Sequence, residues 1–132
     1  VEIVREAGIG SNFIFGATVG ELAALSDYNP RAVYESEPRV KRAVDALLLF
    51  DDPDGALKEL HTALLDGASW HRPDHYYVLK DFLPYQEARL KAMEAYKDRR
   101  GFAMMCLKNI AGAGKFSSDR SVGEYARNIW RV

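Results

Sequence analysis

One short run constrains the fold of this 132-residue chain more than any other feature. Phe13-Ile14-Phe15, closed by Gly16, is apolar on both faces, the pattern of a strand buried inside a parallel sheet. No second run reads convincingly as a strand. A strand alone leaves its N–H and C=O groups without partners, so the chain cannot complete a sheet by itself. The sequence therefore predicts a mainly helical chain, about seven short helices plus one strand, with the rest of the sheet in sequence outside it. The opening on Val1 instead of Met, with Ile3, Val4 and Ala7 already at helical spacing, gives the same expectation of a piece of a longer protein.

Capping residues and prolines divide the remainder. Thr18-Val19-Gly20-Glu21 has the form of a capping box, and Asn29-Pro30 places proline at the tolerated first helical position. Pro38 opens a longer helix in which Val40, Ala43, Val44, Leu47 and Leu48 share a face, ended by Asp51-Asp52-Pro53. Leu57, Leu60, Leu64 and Leu65 mark the next helix, closed by Gly67. Tyr76-Tyr77-Val78-Leu79 is ambiguous between turn and strand, residues 84–97 read as helix, and 102–113 as another. No linker, repeat or internal domain boundary is evident over 1–132.

With 18 basic and 19 acidic residues the chain has no electrostatic footprint for nucleic acid or an anionic membrane. No apolar run approaches the roughly 20 residues of a bilayer span. Cys106, a lone cysteine between Met105 and Leu107, reads as a buried thiol in a reducing, cytoplasmic setting.

Three constellations invite chemistry and fail on spacing. Ala111-Gly112-Ala113-Gly114-Lys115 suggests a phosphate loop, yet that motif needs Gly at Asn109, Ser or Thr at Phe116, and a preceding strand. Gly8-Ile9-Gly10 lacks the third glycine of a dinucleotide fingerprint, because Phe13 holds its place. His61, His71 and His75 could be imagined as a zinc trio, but Pro73 separates the close pair. The pairs Asp51 with Asp52 and Asp74 with Asp81 read as caps and solvated turns.

The final stretch reads as a helix end, a glycine turn and a new helix. Gly112 and Gly114 are expected to take left-handed conformations, and Ser117 or Ser118 to cap the new helix, with Asp119 at its positive end. Val122, Tyr125, Ala126, Ile129 and Trp130 then form an apolar stripe, the mark of a docking helix.

In wording, Asn109-Ile110-Ala111, residues 114–120 (Gly-Lys-Phe-Ser-Ser-Asp-Arg), Glu124-Tyr125-Ala126 and Ile129-Trp130 resemble the C-terminal signature of the α-glucan phosphorylases, the glycogen, starch and maltodextrin phosphorylase family. Val1-Glu2-Ile3, Glu6, Gly8 and Asn12-Phe13-Ile14-Phe15-Gly16 resemble the family segment just after the cofactor lysine. Tyr28-Asn29-Pro30, Tyr34, then Tyr76, Val78-Leu79, Asp81-Phe82, Tyr85 and Tyr96 keep the family order. The family pattern has Trp where this chain has Phe102, and Thr where it has Ser121.

The resemblance implies that 1–132 is the C-terminal portion of the C-terminal domain of a two-domain α/β glycosyltransferase of GT-B type. It implies reversible phosphorolysis of α-1,4-glucans to glucose 1-phosphate by an enzyme that is cytoplasmic and a homodimer. Its cofactor would be pyridoxal 5′-phosphate on a lysine upstream of Val1, with the cofactor's phosphate relaying a proton to the substrate phosphate. No residue here matches a catalytic, cofactor-binding or metal position of that family. The chain's implied role is scaffold: one strand of the sheet, helices over it, and a last helix bracing the other domain. A free-standing helical interaction module using the Trp130 stripe is the alternative from another class.

Overall fold

The computed structural model describes residues 2–132, which fall into two compact units. Among the described residues there are eight α-helices and no strand beyond a single bridge between Ala68 and His71. The mainly helical expectation holds, and the Phe13-Ile14-Phe15 run is the exception within it. That run lies in irregular backbone, with Ile14 59% and Phe15 48% exposed. With no neighbouring strand to take its N–H and C=O groups, water is their alternative partner and the ladder does not form.

The unit Phe15–Glu87 holds α2 (Val19–Ala23), α3 (Pro30–Ser36), α4 (Pro38–Ala46), α5 (Ala56–Leu65) and the first half of α6 (Val78–Ala95). Val40 and Val44 from α4, Leu65 from α5 and Leu79 from α6 form its buried core. Val33, Tyr34, Leu64 and Phe82 pack around them. Each start is set locally. Asn29 accepts from the Arg31 and Ala32 amides, and Glu37 from the Arg39 amide, ahead of Pro30 and Pro38. Asp52 accepts from the Lys58 amide at 3.0 Å, supplying α5 with the cap that Gly55 cannot. Gly67, at φ 83°, closes α5 as expected; a Cβ there would sit 2.8 Å from the His71 carbonyl oxygen.

The capping box at α2 is complete. Glu21 accepts from the Thr18 amide at 2.7 Å and hydroxyl at 2.8 Å, and Thr18 Oγ1 accepts from the Glu21 amide at 3.3 Å. The Thr18 amide first, then its hydroxyl, holds the Glu21 carboxyl below the usual carboxylate range. A depressed folded-state value means that this bond helps the fold above the ordinary glutamate pKa and is lost as pH falls through the lowered one. Acid titration followed by NMR is expected to move the Thr18 amide together with the Glu21 side chain, below the midpoint of unpaired glutamates. A common midpoint would contradict it.

Three boundaries differ from expectation, one being the helix expected over 102–113, which starts at Arg99 where Asp98 accepts from the Gly101 amide. The longer helix ends at Ala46 and passes into a 3₁₀ turn, Leu47–Leu49, before the predicted stop. The helix expected over 84–97 starts six residues earlier, at Val78, and carries Pro84 inside it. Pro84 cannot bond the Lys80 carbonyl and its ring crowds that carbonyl, a local cost that the helix bears. The earlier start depends on Asp74, four residues ahead of Val78, whose carboxylate takes the Val78 and Leu79 amides.

The unit formed by Val1–Ile14 and Ala88–Val132 holds α1 (Glu2–Ala7), the second half of α6, α7 (Arg99–Gly112) and α8 (Ser118–Tyr125). Here α1 packs on α7. Asn109 Nδ2 donates to the Ser11 carbonyl at 2.8 Å and the Met105 carbonyl at 3.0 Å, and Lys115 pairs with Glu6 at 2.6 Å. Gly112 is right-handed, at φ −79°, and not the left-handed cap anticipated. It favours close approach instead, since a Cβ would lie a tight 3.3 Å from Glu6 Cβ. The chain continues through a right-handed 3₁₀ turn, Ala113–Phe116, which also corrects Gly114. Ser117 occupies the cap position of α8 without a side-chain bond.

Cys106 is exposed, where burial was anticipated. Apolar side chains surround α7 on all sides, and Met104, Leu107 and Ile110 are exposed with it. The end of the chain departs from an ideal stripe: Ala126–Trp130 is a π-helical turn, which brings Tyr125 and Trp130 rings to 6.1 Å.

Candidate functional site

Asp74 is the most connected polar group in the Phe15–Glu87 unit. It is 2% exposed and left-handed, at φ 41°. Its Oδ2 accepts from the Tyr28 hydroxyl at 2.5 Å and the Leu79 amide at 2.9 Å, and its Oδ1 from the Val78 amide at 2.7 Å. Its own amide donates to the Ala63 carbonyl at 3.1 Å, tying α5 to the start of α6. Burial, then the Asp74 carboxylate, raises the Tyr28 phenol well above its ordinary value. The phenol is thereby held protonated, suited to bracing a turn and not to passing a proton. Asp74 takes the first amides of α6 as a cap would, but the solvated turn anticipated for it is wrong, because the residue is buried.

Asp81 is the second anchor. Its Oδ1 accepts from the Ala17 amide at 3.1 Å. Gly16, at φ 83°, has no room for a Cβ, which would fall 2.5 Å from Asp81 Oδ2. This fixes Phe15 on α6, its ring edge-on to Tyr85 at 5.1 Å. Phe15, Tyr76, Val78, Phe82 and Tyr85 line an open, largely apolar groove of about 400 Å³.

A second groove, of about 750 Å³, runs along α5 to the tight turn at Ala68 to His71. Lys58, Glu59 and Thr62 contribute polar groups, and Trp70 and His71 contribute rings.

The sequence-level constellations separate in space. The His71 and His75 rings are 6.0 Å apart, and among the described residues no group of three His, Cys, Asp or Glu converges on a metal position. The glycine-rich stretch ends on Lys115, whose ammonium faces Glu6 and so offers a phosphate no free cation. A pyridoxal phosphate site requires a desolvated lysine amine of lowered basicity. No described lysine is buried: Lys91, Lys97 and Lys108 are exposed, Lys80 and Lys115 are half-buried, and Lys41, exposed, bonded to the Tyr34 hydroxyl at 2.6 Å and close to Asp45, is pushed above its usual value. Lys58, beside the larger groove, is exposed. The residues present do not fit the cofactor.

Among the described residues, no helix is long and apolar enough to cross a membrane. The carbohydrate phosphorylase family profile matches residues 1–132. The chain is 36% identical over 135 residues to "Alpha-glucan phosphorylase 2, cytosolic" of Arabidopsis thaliana, covering 100% of this chain and 16% of that protein. It is 37% identical over 135 residues to "Glycogen phosphorylase, liver form" of Ovis aries, covering 100% of this chain and 15% of the relative. It is 35% identical over 132 residues to "Alpha-1,4 glucan phosphorylase L-2 isozyme, chloroplastic/amyloplastic" of Solanum tuberosum, covering 100% of this chain and 14% of that protein. The chain thus spans about one-sixth or less of the length of the curated relatives it matches. Matched from its first residue to its last, this chain belongs to the carbohydrate phosphorylase family.

Proposed function

We propose that 1–132 is the C-terminal portion of the C-terminal domain of an α-glucan phosphorylase, a pyridoxal phosphate enzyme of GT-B type. The longer enzyme catalyses reversible phosphorolysis of α-1,4-glucans to glucose 1-phosphate, as a cytoplasmic homodimer. The observation that carries this reading is the family match across the whole chain at a small share of the relatives' length. One relative is named cytosolic and another chloroplastic, and a single exposed thiol favours the reducing compartment.

Within that enzyme the segment is scaffold and carries no catalytic, cofactor or metal residue. None of the described lysines is buried, which supports this. Phe13-Ile14-Phe15 is held at its end by Gly16 and the bond from the Ala17 amide to Asp81, which lowers the ordering cost of pairing it with a neighbouring strand. The exposed apolar residues of α8 and the turn after it brace the other domain.

Purified chain mixed with pyridoxal phosphate, inorganic phosphate and maltoheptaose is expected to give neither Schiff-base absorbance nor glucose 1-phosphate. The complete product of its gene is expected to give both. Phosphorolysis by the 132-residue chain alone, or none by the complete product, would overturn the reading.

A further inference from the structure

The smaller groove of the Phe15–Glu87 unit is walled by four rings, from Phe15, Tyr76, Phe82 and Tyr85, with Val78 beside them and a single charge, Asp81. The Phe15 and Tyr85 rings meet at 64° with centroids 5.1 Å apart, so they form adjoining walls and not a stack. Tyr76, 77% exposed, stands at the rim. Gly16, left-handed at φ 83°, lets the backbone beside Phe15 lie against Asp81, and the Ala17 amide donates to Asp81 Oδ1 at 3.1 Å. Ring and carboxylate are thereby held at one place.

Electrostatics decides what such a groove can take. The faces of aromatic rings carry negative potential, and Asp81 adds a full negative charge. Among the described residues no basic side chain pairs with Asp81. Elsewhere the chain supplies its own cations to tyrosine rings: Lys41 lies over Tyr34 at 4.2 Å, Arg72 over Tyr77 at 5.0 Å and Arg99 over Tyr96 at 3.7 Å. Among the described residues none stands over the four rings of this groove. A neutral apolar occupant would strip water from Asp81 and leave it one amide donor, and an unpaired charge out of water is costly. A metal ion would need several oxygen ligands, which one carboxylate does not supply. An organic ammonium, its charge cloaked in alkyl groups, packs on the rings and neutralises the carboxylate. The volume of about 400 Å³, within the ordinary small-molecule range of roughly 300–1,000 Å³, leaves room for one.

We propose that this groove binds a small quaternary or alkylated ammonium compound, its cationic head seated among Phe15, Tyr76, Phe82 and Tyr85 with Asp81 as counter-ion. The alkyl groups pack on the rings, and the carboxylate sets the sign of the charge that enters. The site needs only the Phe15–Glu87 unit and stands whatever reaction the longer enzyme performs. It requires that the groove stay open in the longer protein, which binding to the complete gene product decides.

Choline and its neutral isostere, in which carbon replaces nitrogen, would be titrated with the complete gene product. The readout is the methyl proton resonance, which ring currents move upfield among aromatic faces. Tyr76→Leu, Tyr76→Phe and Asp81→Asn variants would be compared, with thermal melting as the check on folding. The expected result is saturable choline binding with an upfield methyl shift, weakened about tenfold or more for the neutral isostere, for Tyr76→Leu and for Asp81→Asn. Tyr76→Phe, which keeps the ring face, is expected to bind within about twofold of the unmodified protein. Tyr76 is exposed, so its variants test the site even where Asp81→Asn loosens the Gly16 turn. Equal binding of choline and the isostere, or choline binding indifferent to Tyr76→Leu, overturns the site. So does a lack of saturable choline binding, which would mean that the rest of the enzyme covers the groove.

Discussion

Asp74→Ala is expected to destabilise the chain by about 3 to 5 kcal/mol, the largest effect of a single polar substitution in the Phe15–Glu87 unit. The carboxylate is the acceptor for the Tyr28 hydroxyl and the Val78 and Leu79 amides, in a site where Asp74 is 2% exposed. A buried donor left without a partner costs about 1 to 3 kcal/mol, and water can reach some of the three, which sets the total below their sum. Against a typical stability of about 5 to 15 kcal/mol, that loss removes much of the margin. Tyr28→Phe, which deletes one bond to a charged acceptor, is expected to cost about 1.5 to 3 kcal/mol. Urea denaturation of the three proteins measures the series. An Asp74→Ala variant within about 1 kcal/mol of the unmodified chain would show that the turn does not depend on this carboxylate.

The same pair predicts an alkaline limit. Because burial and Asp74 raise the Tyr28 phenol in the folded state, its contribution is complete below the ordinary tyrosine value. It is lost as pH rises from that value toward the raised one, since only the unfolded chain ionises readily there. Tyr28→Phe should flatten this alkaline slope.

The second large effect depends on context. In the 132-residue chain, Trp130 is 60% exposed, and Trp130→Ala is expected to change stability by no more than about 0.5 kcal/mol. In the complete phosphorylase, docking of Val122, Tyr125, Ile129 and Trp130 on the remaining sequence would bury the indole. The same substitution should then cost about 3 to 5 kcal/mol, as large-to-small core changes do. Turnover per folded molecule should stay unchanged, because no reacting group lies on this helix. Melting temperature and turnover, measured on both proteins, separate the two halves. A complete enzyme with unchanged melting but lost turnover would turn the helix from a brace into part of the catalytic machinery.

Local chemistry explains what the sequence determined alone. The Thr18 and Glu21 box, the Asn29-Pro30 start, the Pro38 start and the Gly67 stop each depend on residues within a few positions, and each is found where the pattern puts it. Val40 and Val44 were legible as core because helical spacing places them on one face. The family was legible too, since it is written in short runs of residue identity.

Tertiary structure decided whatever depended on partners distant in sequence. Tyr28 meets Asp74 across 46 positions, and Asp81 takes the Ala17 amide across 64. No local pattern announces either contact, so the early start of α6 and the fixed place of Phe15 could not be read. Gly112 was assigned a left-handed turn on propensity, whereas it is right-handed and lies against α1, where a Cβ would be tight. Phe13-Ile14-Phe15 has a strand's composition without a strand's bonds, because a sheet is a property of neighbouring chain segments and not of one run. The groove beneath Trp70 exists only where α5 and its closing turn come together, a juxtaposition that hydrophobic periodicity does not encode.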